Sequence, residues 1–130
     1  MREFDLNPEI VCQIISRCRE FQAKEEVVFP EKPEELSLED HMQILADHKN
    51  DLTSVELQRN INDLEPDQQS TLIALMYLGR GDFSIDEWDN CWTTADQEKP
   101  SNVARYLLAH PQIVEYLQDG LEAFGHQCEE

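Results

Sequence analysis

The residues with the most chemical potential lie close together, in Leu78-Gly79-Arg80-Gly81-Asp82-Phe83-Ser84-Ile85-Asp86-Glu87-Trp88-Asp89, with Trp92 one helical turn further on. A guanidinium, several carboxylates and two indoles could hold an ion, a charged ligand or a partner's side chain. Gly81 and Glu87 occupy the sixth and twelfth positions of a calcium-binding loop. Counting back, however, places Met76, Leu78 and Arg80 where its first oxygen ligands must be. Calcium needs oxygen donors there, so calcium is excluded at this turn. Arg80-Gly81-Asp82 is also the tripeptide read by cell-adhesion receptors. That use needs an exposed extracellular loop, and chance explains the tripeptide better. Arg80 has two readings. It can neutralise the carbonyls at a helix C-terminus and pair with Asp82, Asp86 or Glu87, or it can anchor an anion at the mouth of a groove. Trp88 and Trp92 beside Asp86, Glu87 and Asp89 are either the core side of an amphipathic helix or aromatic anchors ringed by acid. Core packing is favoured, because aromatics at helical spacing usually pack. The candidate binding residues are Arg80, Asp82, Asp86, Glu87, Trp88 and Trp92.

Other chemistries find less support. His41 and His48 are seven apart and share a helical face with Asp40 or Asp47, but zinc ligands normally recur three or four apart or as paired cysteines. His126 and Cys128 sit in a tail expected to fray. No metal site and no cofactor are expected. The chain carries no Gly-x-Ser-x-Gly, no phosphate-cradling loop and no dinucleotide fingerprint, so no catalytic residue is assigned. The start, Met1-Arg-Glu-Phe-Asp, has no apolar run of signal-peptide length, which points to a reducing cytoplasm. Cys12, Cys18, Cys91 and Cys128 are then expected to be thiols.

The segments that carry and surround these residues read as helices. Asn7-Pro8-Glu9 is a helix start, followed by Ile10, Val11, Ile14, Ile15, Cys18 and Phe21 at helical spacing to about Lys24. Residues 25–36 form an acidic loop broken by Pro30 and Pro33. Ser37 and Asp40 open a helix running to about Lys49, and Thr53 or Ser54 caps another whose inward face is Val55, Leu57, Ile61 and Leu64. Pro66 begins the central helix, where Leu72 to Leu78 contain no polar residue. A helix apolar on every side must be surrounded by protein, and this run is far shorter than the roughly 20 residues of a membrane span. Gly79 and Gly81 can each take the left-handed conformation that closes a helix. Ser84 and Glu87 form a capping box ahead of a helix ending before Pro100; Ser101 or Asn102 restarts the chain through Val103 to Ala109. His110-Pro111 opens the last helix, with Ile113, Leu117, Leu121 and Phe124 inward. Gly120 inside it costs roughly 1 kcal/mol relative to alanine, which implies a close approach by a neighbour. Residues 126–130 are expected to fray. The fold class is all-α, a single domain over residues 1–130 of about six or seven helices around a central buried helix.

With 28 acidic and 10 basic residues the net charge is -18 at pH 7. Such a charge repels phosphate backbones and anionic lipid, so neither direct nucleic-acid nor membrane binding is expected, and a basic protein partner is favoured. Glu25, Glu26, Glu31, Glu34, Glu35, Glu39 and Asp40 form one acidic group; Asp82, Asp86, Glu87, Asp89, Asp96 and Glu98 form another.

Leu6-Asn7-Pro8-Glu9 before Val11-Cys12, then Arg19-Glu20-Phe21 with Ala23-Lys24, and above all Leu78-Gly79-Arg80-Gly81-Asp82-Phe83 with Glu87-Trp88, resemble a family of short bacterial proteins classed as a domain of unknown function. The resemblance implies a compact bacterial cytoplasmic protein and brings no activity, cofactor or catalytic residue with it. Three functional readings follow. The leading one is a non-enzymatic acidic binding or regulatory module for a basic protein. Its rival is a small-molecule enzyme or ligand-binding protein with a pocket near Arg80, Asp82, Glu87 and Trp88. A nucleic-acid mimic is the minority reading, because carboxylates on helices turn to several sides.

Overall fold

The computed structural model describes residues 4–23 and 52–128. The acidic loop 25–36, the helix expected at 37–49, and His41 and His48 lie outside the described residues. Among those described there are six α-helices, one 3-10 turn and no strand: α1 (Pro8–Gln22), α2 (Leu52–Asn62), α3 (Pro66–Arg80), the 3-10 turn Ile85–Glu87, α4 (Trp88–Glu98), α5 (Val103–Leu108) and α6 (Ile113–Ala123). The protein is all-α, a compact bundle around α3.

Local signals set most of the helix ends. Asn7 caps α1, its Oδ1 accepting the Glu9 N–H at 2.9 Å. Glu65 and Gln68 cap the start of α3 reciprocally, with Pro66 at a position that needs no N–H. Asn102 caps α5 by accepting from the Arg105 N–H at 3.1 Å. Two boundaries depart from the sequence expectation. Helix α2 already begins at Leu52, ahead of Thr53 and Ser54. Helix α6 begins at Ile113 rather than at His110-Pro111. His110 is instead buried and Pro111 exposed, with the His110 carbonyl accepting from the Ile113 N–H at 3.2 Å.

Helix α3 packs chiefly between α6 and α4, while α1 joins α2 to α6 and α5 leans on α2. Every residue from Ser70 to Leu78 is buried, as the unbroken apolar run requires. The contact with α6 is made at backbone distance. A Cβ on Gly79 would stand 1.7 Å from the Tyr116 carbonyl oxygen, and one on Gly120 would stand 2.5 Å from that of Leu75. The two glycines are four residues beyond the facing residues, 75 to 79 and 116 to 120. The helices therefore run antiparallel, each offering a bare patch to the other's backbone. The close approach expected at Gly120 is present. Gly79, by contrast, does not close the helix; it lies inside α3 as half of this crossing.

Gly81 closes the helix. With φ 90 it donates its N–H to Leu78 O at 3.1 Å, and Asp82 N–H reaches Tyr77 O at 3.1 Å. Gly125 repeats the device at the end of α6, with φ 82, Gly125 N–H to Glu122 O at 2.9 Å and His126 N–H to Leu121 O at 2.9 Å. Residues 126–128 carry that cap, the His126 ring 6.0 Å from the Phe4 ring, and a disulfide between Cys128 and Cys12.

Candidate functional site

The turn after α3 gathers the predicted residues but occupies them structurally. Arg80 forks onto Asp82, Nε to Oδ2 at 2.8 Å and the second nitrogen to the same oxygen at 2.7 Å, while its guanidinium lies 5.2 Å from the centre of the Tyr77 ring. Among the pairings the sequence left open, Asp82 is the partner seen here. Two residues on, Ser84 donates its N–H to Glu87 Oε1 at 2.9 Å, so Glu87 serves as the capping carboxylate of the 3-10 turn. Asp86 and Asp89 are exposed.

The two tryptophans part company. Trp88 is 0 % exposed, edge-on to Phe124 at 4.8 Å and to Phe4 at 6.3 Å, and its indole N–H has no partner among the described residues. Such burial leaves it no surface to offer a partner. Trp92 is half-buried and polar at one end: its N–H donates to Thr71 Oγ1 at 3.0 Å, and that hydroxyl donates to Asp5 Oδ1 at 2.5 Å. Neighbouring Ser70 donates to Asp96 Oδ1 at 2.7 Å and accepts from Lys99 Nζ at 3.1 Å. These bonds satisfy the two buried hydroxyls of α3 and tie α4 to it.

Two clefts among the described residues open around the disulfide. Cys12 on α1 and Cys128 in the tail are bonded with Cα atoms 5.5 Å apart across 116 residues, so these two are not thiols as expected. A cleft of about 280 Å³ lined by Gln118, Leu121, Glu122 and Gln127 opens beside Cys128, and one of about 380 Å³ lined by Pro8, Glu9, Gln13 and Gln127 opens beside Cys12. Sequence reasoning missed this pair because the residues are remote in the chain. The one available signal was that Cys12 falls at the edge of the apolar stripe of α1, where a sulfur can meet another segment.

Cys18 and Cys91 are free and buried, and Cys91 Sγ lies 3.2 Å from the Ala74 carbonyl. Burial pushes both thiols up from 9.0 to about 12; at Cys91 the charges of Asp82 and Glu87 add to it. The unfolded chain therefore releases these protons first as pH rises. Folding stability owed to the two thiols is fully present below pH 9.0 and is lost between 9.0 and about 12. Urea midpoints measured at neutral pH and above pH 9.0 are expected to fall in the alkaline series, and Cys91→Ala to flatten part of that fall.

Among the described residues, no three histidine, cysteine or carboxylate side chains converge as metal ligands, and no helix is long and apolar enough to cross a membrane. No curated protein and no solved structure matches the chain. A family model described as "Protein of unknown function (DUF3775)" matches residues 54–126, which hold the α3–α6 crossing, the Gly-Arg-Gly-Asp turn and α4. That match covers more than half of the chain, and the protein belongs to this family.

Proposed function

We propose that the protein is a non-enzymatic binding module that offers an acidic face to a basic protein partner, and that it binds neither nucleic acid nor membrane directly. The observation that carries this reading is the exposure of Asp82, Asp86, Glu87, Asp89, Asp96 and Glu98 along one turn and the helix that follows it. The cations beside them, Arg80 and Lys99, are paired with Asp82 and Asp96. The rival reading, a ligand pocket at Arg80, Asp82, Glu87 and Trp88, has weaker support. Its cation and carboxylate neutralise each other, its glutamate caps a turn, its indole is in the core, and the two clefts described above lie at other residues.

Attraction of this kind works through the Debye length, about 10 Å at 0.1 M salt and about 3 Å at 1 M. The immobilised protein is expected to retain poly-lysine and basic lysate proteins at 0.1 M salt and to release them at 1 M. Asp86→Asn with Asp89→Asn should weaken that retention without changing the helical circular-dichroism spectrum. Equal retention by the double variant, or retention that ignores salt, would count against the proposal.

A further inference from the structure

We infer that Cys12–Cys128 is a redox clasp, a thiol–disulfide exchange site whose reduction by a dithiol releases the chain ends from the aromatic cluster they cover. Three observations bear on it. First, the bond is reachable. Both cysteines are only partly buried, and each lines a cleft, with Gln127 lining both. Cys18 and Cys91, by contrast, are enclosed in the core, so exchange is confined to the one pair. Secondly, the bond joins the segments that cover an indole. Phe4 stacks on Phe124 at 4.8 Å, His126 lies against Phe4, and both phenyl rings abut Trp88. Thirdly, what lies beneath is ready for water. The Trp88 N–H is buried with no partner among the described residues, an unsatisfied donor that exposure would hydrate.

The exchange balances as follows. A thiolate of the dithiol attacks Cys128 Sγ, forms a mixed disulfide and expels Cys12 as a thiolate, which takes up a proton from water. The dithiol's second thiol, deprotonated, attacks the mixed disulfide and releases Cys128, also to be protonated. The reagent leaves as a cyclic disulfide, oxidised by the two electrons the protein has gained. Glu9 and Glu122 line the two clefts, so an anionic thiol such as glutathione is repelled where a neutral dithiol is not.

The test uses the full chain with dithiothreitol, with glutathione, and as the Cys12→Ser/Cys128→Ser variant. Free-thiol counts follow the bond, far-ultraviolet circular dichroism follows the helices, and acrylamide quenching follows tryptophan. Trp92→Phe isolates Trp88, and amide exchange at residues 4–7 and 124–128 gives a second readout should that variant be unstable. The expected result is retained helix, several-fold greater quenching and faster terminal exchange on reduction, mimicked by the double serine variant and reversed by reoxidation, with dithiothreitol acting faster than glutathione at equal thiolate concentration. Loss of the helical spectrum on reduction would make the bond a structural staple and overturn the inference. Unchanged quenching and unchanged terminal exchange would overturn it too, as would four free thiols in protein kept under air.

Discussion

Gly79→Ala is expected to destabilise the protein by about 3 kcal/mol or more, at the upper end of what an overpacked core costs. The sign is what makes the experiment informative. Gly79 is inside a helix, where alanine in place of glycine normally gains about 1 kcal/mol, so a crossing with any slack would give a more stable protein. Here the added methyl would sit 1.7 Å from the Tyr116 carbonyl oxygen and 2.9 Å from its Cα, both backbone atoms that no rotamer change can move aside. Relief requires α3 and α6 to separate, and that loosens the packing around Leu72, Leu75 and Leu117 in the middle of the core. Gly120→Ala should behave likewise, with its nearest contacts at 2.5 Å from Leu75 O and 2.8 Å from Leu75 Cγ. Because either substitution spreads the same two helices, the double variant should cost less than the sum of the singles. Gly81→Ala is the control. Nothing lies within 4 Å of its added methyl, and only the left-handed backbone is penalised, by roughly 1–2 kcal/mol. Thermal unfolding should show the Gly79 variant melting on the order of 10 °C lower. A Gly79 variant melting at or above the parent temperature would mean that the helices do not meet as described.

The second large effect belongs to the disulfide. Closing a loop of 116 residues removes so much freedom from the unfolded chain that chain-entropy reasoning assigns the bond about 4–5 kcal/mol. Urea unfolding with and without reductant should therefore show a midpoint that drops substantially, and the Cys12→Ser/Cys128→Ser variant should reproduce the reduced curve. Since small proteins hold about 5–15 kcal/mol in total, this loss is compatible with a bundle that stays folded. That is the condition under which a clasp can open without the core melting. Coincident curves for the oxidised and reduced protein would mean that the ends are not linked.

What could be read from the sequence was whatever a local pattern decides. The apolar run Leu72 to Leu78 identified the buried helix because no amphipathic arrangement accommodates it, and the caps at Asn7, Pro66 and Asn102 were legible as residue types. Gly120 was read correctly from its cost. Gly79 was ambiguous because a glycine two residues before a helix end has the same signature whether it closes the helix or lets a neighbour in. Periodicity put Trp88 and Trp92 on one face, yet four residues turn the helix far enough that one indole is enclosed and the other keeps a polar edge at Thr71. The bond from Thr71 to Asp5, 66 residues away, had only an indirect signal: a Ser-Thr pair adjoining an apolar run must find partners somewhere. Arg80, Asp82 and Glu87 stood out for their chemistry, but their short mutual spacing also suits them to close a turn, and in this geometry they do so.

A single bond can be drawn between four cysteines in six ways, yet the folded chain permits one. Cys18 is sealed in the face of α1 turned toward the bundle, and Cys91 is held against the Ala74 carbonyl. Any scrambled isomer must therefore pull one of these helices out of the core.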